Sequence, residues 1–434
     1  MLDRIRFAVR ALRHRNLRLF FAGQGLSLVG TWMQQVAVSW LVYRLTASPL
    51  ILGIVAFGSQ IPTLLMAPLA GALADRWSRY RMVVVAQSLA MLQALTLAAL
   101  VLGGVVQVWH LIALSVVLGV INGLDIPARQ SLLVRMVDGP EDLPNAIALN
   151  SSMFNAARLV GPAVAGVLIG LVGEGPVFLL NGLSYLAVLW ALSRLRIPRG
   201  GPRPRAGSVL VAMREGFRYG FGFPPVRAIL LLLGLVSLVG IPYVVLLPVF
   251  ARDVLGGDAT TLGLLTSAAG LGALAGALYL ASRGSVRGLG RVITLATALY
   301  GSGLVAFSFS RTVWLSAALL LVVGFGIMVA TASMNTILQT LVEEEMRGRV
   351  MSLYTMAFVG MSPLGSLLGG WLALHLGAPA AVLMGGIASV LVAMGFRTRI
   401  PALREIVRPI YVQKGIIPEV AEGLQTASEL RAKG

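Results

Sequence analysis

The amino-acid sequence predicts an all-α polytopic membrane protein with twelve transmembrane helices in two six-helix, pseudo-symmetric halves. Three observations lead to this fold class. The 434 residues are 57% hydrophobic and 12% charged, with a mean hydropathy of +0.86, whereas soluble domains carry about 25% charged residues. Apolar stretches of about 20 residues, long enough to cross a hydrocarbon core of ~30 Å as a helix, occur twelve times. A long polar connection separates the first six stretches from the last six.

Length and hydropathy place the individual spans. They cover approximately residues 17–43, 50–74, 82–103, 109–129, 147–172, 175–195, 227–251, 259–282, 289–308, 312–338, 348–375 and 378–397. The predicted domains are therefore an N-terminal bundle (1–195), a cytoplasmic linker (196–226), a C-terminal bundle (227–397) and a cytoplasmic tail (398–434). Within the linker, residues 208–223 predict an amphipathic surface helix, because Val209, Met213 and Phe217 recur at helical spacing.

The two halves share a faint internal repeat. Residues 119–137 (GVINGLDIPARQSLLVRMV) align without gaps with residues 324–342 (GFGIMVATASMNTILQTLV). Each segment leads through a charged loop to a small-residue helix that contains Gly161-Pro162 or Ser362-Pro363. Repeated halves with the binding site between them are a design of secondary transporters, so the repeat predicts a central cavity between the bundles.

Positive charge lies in every second loop. The net charge is +18, and arginines cluster before the first span and at residues 76–81, 194–227, 283–291, 347–349 and 397–408. This positive-inside pattern predicts that both termini are cytoplasmic. Attraction to anionic lipid headgroups of the bilayer explains the excess charge, so no nucleic-acid partner is expected.

The sequence lacks the patterns of metal, redox and ATP chemistry. There is no cysteine, and His14, His110 and His375 are far apart, so neither a metal site nor a cofactor is expected. No G-x-x-x-x-G-K-[ST] loop occurs, so the chain itself does not hydrolyse ATP. No enzymatic activity is predicted.

The loop GALADRWSRYR between the second and third spans is the most informative motif. It contains Gly71, Asp75, Arg76, Arg79 and Arg81. This order resembles the signature loop of major facilitator superfamily transporters, although Ser78 stands where that family usually has glycine. The resemblance implies the major facilitator fold, in which Asp75 and Arg79 lock the halves together with an acid at the end of the fourth helix. Asp125 matches that acid. A purely topological role for the arginines is the alternative.

Asp125 has three interpretations. It lies near the cytoplasmic end of the fourth span, on one helix face with Asn122 and Arg129. It is the gate partner of Arg79, a proton carrier, or one member of a local pair with Arg129. Apart from Asp125, no Asp or Glu lies inside a predicted span, so a proton-coupled transporter has either this carboxyl group or an unseen group as its titrating site.

The fifth span carries a polar stripe. Ser151, Asn155, Arg158 and Pro162 recur at i, i+4, i+7 and i+11. Arg158 lies ~16 Å into the span, where an arginine costs at least ~2.5–3.5 kcal/mol on insertion scales. It predicts either a cationic cavity wall that favours anionic or carbonyl-rich cargo, or a structural arginine tied to helix carbonyls or to Asn155.

Further polar residues complete the predicted cavity. Besides Asn122, Asn155 and Arg158, the candidates are Gln24, Thr31 and Gln35 on the first span, Tyr243 on the seventh, Asn335 and Gln339 on the tenth and Tyr354 on the eleventh. Uncharged hydrogen-bonding groups beside Trp32 and Trp40 suit an amphipathic cargo. Interhelical hydrogen bonding is the alternative for each of them.

Several separated segments are similar to the twelve-helix drug:proton antiporter branch that holds the enterobactin exporter and macrolide efflux proteins. They are RNLRLFFAGQGLSLVGTWMQQVAVSWLVYRLT, GALADRWSRYR, DIPARQ, DLPNAIALNSSMFNAARLVGP and RGRVMSLY. Gly161-Pro162 resembles the Gly-Pro motif that this exporter branch carries on its fifth helix. The resemblance implies a monomer of the bacterial inner membrane that exports small drug-like or siderophore-like molecules by alternating access, coupled to protons. Uptake of a nutrient or translocation of a lipid is the alternative; a non-transporting scaffold is a weaker one.

Overall fold

The computed structural model describes residues 10–76, 78–137, 139–196, 209–283, 285–414 and 416, and the side chains of these residues except 67–76, 140 and 209–213. Within these ranges the chain is helical with short connections and contains no strand. The long helices are α1 (Arg15–Thr46), α2 (Pro49–Arg76), α3 (Arg79–Leu102), α4 (Val108–Leu133), α5 (Leu143–Val172), α6 (Glu174–Ser193), α7 (Val209–Gly222), α8 (Pro224–Val239), α9 (Tyr243–Val249), α10 (Ala259–Ser282), α11 (Leu289–Phe309), α12 (Val313–Leu341), α13 (Glu344–Val359), α14 (Met361–Leu376) and α15 (Ala378–Gln413).

The helices confirm the predicted fold class. In the described part of the chain, eleven helical stretches are long and apolar enough to cross a membrane. The buried amides of Gln24 and Gln34 reduce the hydropathy of α1, which is not among the eleven. Its 32 residues nevertheless extend ~48 Å, and it packs against α5 and α6. With α1, the described part of the chain forms twelve spans.

Two spans are broken near their middle, which hydropathy did not predict. The seventh consists of α8 and α9, and the eleventh of α13 and α14. Pro242 lies in the turn between α8 and α9, and Pro363 is the third residue of α14. Neither has an N–H to donate to the carbonyl four residues earlier. The helical hydrogen-bond ladder is therefore interrupted in two spans of the C-terminal half.

The last helix is longer than predicted. α15 runs through 36 residues to Gln413, with Pro401 and Pro409 inside it, so residues 398–413 continue the twelfth span as helix. The residues after 416 lie outside the described part of the chain.

The linker forms the expected amphipathic helix, α7, which ends at Gly222, one residue earlier than predicted. The helix packs against α8 and α13. Arg349 Nη1 lies 2.7 Å from Glu215 Oε2, and the apolar side chains of Phe217 and Phe221 stack at 5.8 Å between ring centroids. The side chains of Val209 and Met213, and all of residues 197–208, lie outside the described residues.

The two ends of the bundle differ in charge. We call the end at which α1 begins the basic end, because Arg79, Arg194 and Arg347 lie there. The other end, which carries the turns at residues 47–48 and 255–258, is the opposite end.

The two halves meet along two helix pairs, α5 with α10 and α2 with α14. Glycine permits the close approach in both. A Cβ on Gly263 would lie 2.5 Å from the Pro162 carbonyl oxygen, and one on Gly370 would lie 2.7 Å from the Pro49 carbonyl oxygen. Both contacts are near the opposite end. The α5–α10 contact continues to mid-depth, where Ser267 Oγ donates to the Leu159 carbonyl at 2.9 Å.

We expect Gly263→Leu to lower the melting temperature of the protein, because its side chain would meet backbone atoms that cannot rotate away. Overpacking of this kind costs about 1–3 kcal/mol. The measurement is thermal unfolding of the detergent-solubilised chain, followed by tryptophan fluorescence. Gly395→Leu is the matched control, since nothing lies within 4 Å of a Cβ at that helical position. Equal melting temperatures for the two variants would contradict the α5–α10 packing.

Candidate functional site

A charged and aromatic group lies at mid-depth between the halves. The Arg158 Cζ is 5.8 Å from the centroid of the Trp32 ring, a cation–π geometry. Phe154, one turn before Arg158 on α5, meets the same indole edge-on, with ring centroids 5.6 Å apart and planes at 70°. Tyr243, at the start of α9, lies within electrostatic range of Arg158. We call Trp32, Phe154, Arg158 and Tyr243 the central group.

The Gly-Pro motif builds this site from the backbone. A Cβ on Gly161 would lie 2.5 Å from the Trp32 Cβ, so only glycine lets α1 bring the indole this close. Pro162 has no N–H for the Arg158 carbonyl four residues earlier. That carbonyl faces α10, where a Cβ on Gly270 would lie 3.3 Å from its oxygen. One dipeptide therefore fixes the contacts of α5 with both α1 and α10.

Asn155 does not hold Arg158 in place. Its Nδ2 donates to the Ser151 carbonyl of its own helix at 2.9 Å. No hydrogen bond or ion pair of the Arg158 guanidinium occurs among the described residues, and its recorded contact is the Trp32 ring.

Asp125 is buried in a second polar cluster, inside the N-terminal half. Its Oδ1 accepts from Gln87 Nε2 at 2.9 Å, and its Oδ2 lies 3.2 Å from Arg129 Nε. Only 5% of the residue is exposed. The structure therefore brings Asp125 together with Arg129, and no contact between Asp125 and Arg79 occurs among the described side chains.

The signature loop is described only in part. Gly71, Asp75 and Arg76 lie in the last turns of α2, but their side chains are outside the described residues. The contact among Asp75, Arg79 and Asp125 that would lock the halves together therefore stays a prediction. Ser78 caps α3: its side chain accepts from the Arg81 N–H at 3.3 Å. With φ at −67°, this position does not require the glycine of the related loops.

Three hydrogen-bonded side-chain amides in the N-terminal half were missed by the sequence analysis. Gln34 Nε2 donates to Gln93 Oε1 at 3.0 Å, and Asn181 Nδ2 donates to Gln34 Oε1 at 2.7 Å. Gln35, one of the predicted cavity residues, is exposed instead. Helical spacing alone did not show which of the two neighbouring glutamines faces the protein interior. The available signal was the presence of Gln93 and Asn181 in other apolar spans, because buried amides need hydrogen-bond partners.

The other predicted cavity residues are distributed over both halves. Thr31 Oγ1 donates to the Ser27 carbonyl at 2.9 Å, while Gln24 is buried and Asn122 is half-buried. Near the basic end, Gln339 Nε2 donates to Asn335 Oδ1 at 2.6 Å, and the Tyr354 hydroxyl donates to the Thr331 carbonyl at 3.0 Å. These hydrogen bonds lie within α12 and between α12 and α13. No direct contact between Asn335, Gln339 or Tyr354 and the central group occurs among the described residues.

A cavity of about 470 Å³ lies elsewhere, between the α10–α11 connection and the end of α15. Arg283, Arg287 and Ile416 are among its lining residues. None of the predicted cargo residues lines it. This cavity therefore does not mark the site that the sequence predicts.

The N-terminal segment is anchored by another acid that sequence reasoning did not select. His14 Nε2 lies 2.8 Å from Asp142 Oδ2, Arg13 Nη2 2.8 Å from the same oxygen, and Arg10 Nε 3.0 Å from Oδ1. The hydrogen bond with His14, and then the positive charges of Arg13 and Arg10, lower the pKa of Asp142. The carboxylate therefore stays charged and holds the segment before α1 against the α4–α5 connection.

We expect Asp125→Ala to destabilise the protein strongly, because Arg129 and Gln87 lose their acceptor in a buried place. Removing one partner of a buried ion pair costs about 3–5 kcal/mol. Glu215→Ala is the matched control. Its pair with Arg349 is exposed, with side-chain exposures of 50% and 38%, and such pairs contribute less than about 1 kcal/mol. The measurement is the shift of the melting temperature, and equal shifts would contradict the buried pair. Replacing both Asp125 and Arg129 by alanine is expected to recover part of the loss.

Comparison with known proteins supports the fold and the class. Residues 7–425 match the family described as transmembrane secretion effector. The chain is 26% identical over 385 residues to the staphyloferrin A transporter of Staphylococcus aureus, covering 87% of this chain and 95% of that protein. It is 27% identical over 399 residues to the multidrug efflux pump Tap of Mycolicibacterium fortuitum, covering 89% and 94%. Identity to macrolide efflux protein A of Streptococcus pyogenes is 21% over 393 residues, covering 88% and 96%.

Solved structures confirm the architecture. The nucleoside transporter NupG superposes with a TM-score of 0.70 at 15% identity, covering 89% of this chain and 99% of that one. A bacterial homologue of the human lysosomal transporter Spinster gives 0.67 at 15% identity, covering 92% and 97%. The twelve spans and the family match over nearly the whole chain show a multi-pass membrane transporter of small molecules and not an enzyme. The chain belongs to the transmembrane secretion effector family of major facilitator superfamily transporters.

Proposed function

We propose that this transporter exports small amphipathic molecules across the bacterial inner membrane by alternating access, coupled to inward proton movement. The observation that carries the proposal is the interface between the two halves. We call this interface, which consists of the α5–α10 and α2–α14 contacts, the seam. Contacts along α5–α10 and α2–α14 join the halves from the opposite end to mid-depth, and the central group lies where the α5–α10 contacts reach mid-depth.

The direction of access follows from the side on which the seam is joined. Near the opposite end the Tyr43 hydroxyl of α1 also bonds Asp253, in the π-helical turn that follows α9. Between the basic end and Arg158, α5 exposes Ile147 and Phe154, by 49% and 43%. The positive-inside rule puts the basic end in the cytoplasm, so this conformation admits cargo from the cytoplasm and bars it from the outside.

The relatives support export over uptake. The multidrug pump and the macrolide protein are both named for efflux, and the Gly-Pro dipeptide is the feature shared with that branch in sequence. Proton coupling is assigned to Asp125, the acid that lies inside a predicted span and is buried against Gln87 and Arg129. A monomer with both termini in the cytoplasm completes the proposal.

A disulfide across the opposite end tests alternating access. A Cβ on Gly170 of α5 would lie 3.1 Å from Thr260 Oγ1 of α10, a separation that suits a disulfide. We expect the double variant Gly170→Cys and Thr260→Cys to lose transport on oxidation and to regain it on reduction. Because the chain has no cysteine of its own, the two single variants treated with the same oxidant are clean controls. Full transport by the cross-linked protein would contradict the mechanism.

Everted membrane vesicles test the direction and the coupling. With an acidic lumen, vesicles that contain the transporter are expected to accumulate a fluorescent amphiphile from a set of neutral, cationic and anionic dyes. A protonophore is expected to abolish the accumulation. Accumulation in right-side-out vesicles only would establish uptake, and no flux in either orientation would favour a scaffold.

A further inference from the structure

We propose that Arg158, Trp32 and Phe154 form a binding site for organic anions, specifically for a carboxylate carried on a flat apolar body. The inference rests on the proposed function, because it names the class of cargo that the central group accepts. It gives Arg158 the role of binding the cargo carboxylate.

The first step is the unbalanced charge of Arg158. Asp125 already accepts from Gln87 and pairs with Arg129. Every other acid whose side chain is described lies in a connection, toward the end of a helix or, in the case of Glu215, on the linker helix α7. No carboxylate of the described residues therefore neutralises Arg158, and the mid-depth seam carries one net positive charge.

The second step is the direction of the guanidinium donors. A guanidinium over an aromatic face uses its π surface and leaves its in-plane N–H groups available. Those donors have no acceptor among the described residues near Arg158. Their fork geometry matches a carboxylate, which binds two of them side by side. The Trp32 ring thus holds the cation without using the donors that an anionic cargo needs.

The third step is the apolar surface beside the charge. Phe154 meets the Trp32 ring edge-on and is 43% exposed. Phe154 and Arg158 are four residues apart on α5, so they lie on the same helix face. A molecule with its carboxylate on Arg158 places its body against Phe154 and Trp32, and a flat ring system gains most from such a surface.

The charge of the cargo also bears on the driving force. A membrane potential that is negative inside drives an anion outward. An exporter of anions therefore needs fewer titrating groups than an exporter of cations, which must move cargo against that potential. A positively charged interface between the halves, with Asp125 as the acid inside a predicted span, is the arrangement this difference predicts.

The test is the binding of three naphthalene probes that differ only in charge: 2-naphthoate, 2-naphthamide and 2-naphthylmethylammonium. Binding to the purified full-length protein in nanodiscs is measured by isothermal titration calorimetry. We expect the carboxylate to bind about tenfold or more tightly than the amide, because hydrogen bonds between charged groups are the strong ones, and the ammonium to bind most weakly.

Variants locate the selectivity. In Arg158→Gln the carboxylate-to-amide affinity ratio is expected to fall to about one, whereas Arg158→Lys keeps the charge and retains part of the ratio. Arg194→Gln is the matched control. Arg194 also lies over an indole, 5.9 Å from the Trp190 ring, but at the basic end of α6, and its loss is expected to leave the ratio unchanged. Thermal unfolding verifies that each variant is folded.

Three results would overturn the anion site: no binding of any probe by the wild-type protein, equal or tighter binding of the ammonium, or a carboxylate preference that survives Arg158→Gln. The outcome is separable from that of the proposed function. An Arg158-dependent preference without vesicle flux would leave the site and remove the export proposal. Flux of cationic dyes without that preference would do the reverse.

Discussion

Arg158 lies near the middle of a 30-residue helix, and the cost of a charge at that depth governs what surrounds it. Lipid offers no hydrogen bonds, so the guanidinium must face protein or a water-filled space. Gly161 brings the Trp32 ring to within cation–π range. Pro162 lacks the N–H that would bond the Arg158 carbonyl, and this carbonyl faces α10. The charge, the aromatic partner and the inter-half contact are thus consequences of five consecutive residues of α5.

The same constraint explains two buried polar clusters inside the N-terminal half. Gln34, Gln93 and Asn181 satisfy one another across three helices, and Asp125 is satisfied by Gln87 and Arg129. Such bonds give the N-terminal half a fixed internal arrangement. The seam between the halves is different, because it is made mainly of glycine contacts and few hydrogen bonds. An interface with few hydrogen bonds suits a rocking motion of the halves. The halves can separate along it without leaving many buried polar groups unsatisfied.

How far the sequence predicts this structure depends on which physical effect decides each feature. Burial in lipid decides the number and approximate position of the spans, and hydropathy reports it directly. The two broken spans depend on a lost N–H at Pro242 and Pro363, a local effect that a hydropathy average conceals. The choice between Gln34 and Gln35 depends on the rotation of α1 against α3 and α6, which is a tertiary property. Asp125 was placed correctly on one face with Arg129, but its second partner, Gln87, comes from another helix and could not be derived from spacing.

The central group also connects cargo charge with the energy source. Asp125 and Arg129 form a neutral pair, so this pair alone adds no net charge to the membrane interior, whereas Arg158 adds one. When an anionic cargo is bound, its charge cancels that of Arg158, so the loaded protein changes conformation with a nearly neutral seam. The empty protein returns to the starting conformation with the positive charge of Arg158 uncompensated. The membrane potential acts on the empty and loaded steps differently for that reason, and it opposes movement of positive charge toward the outside. On this argument the potential acts on the cycle through Arg158 and adds to the energy that inward proton movement supplies.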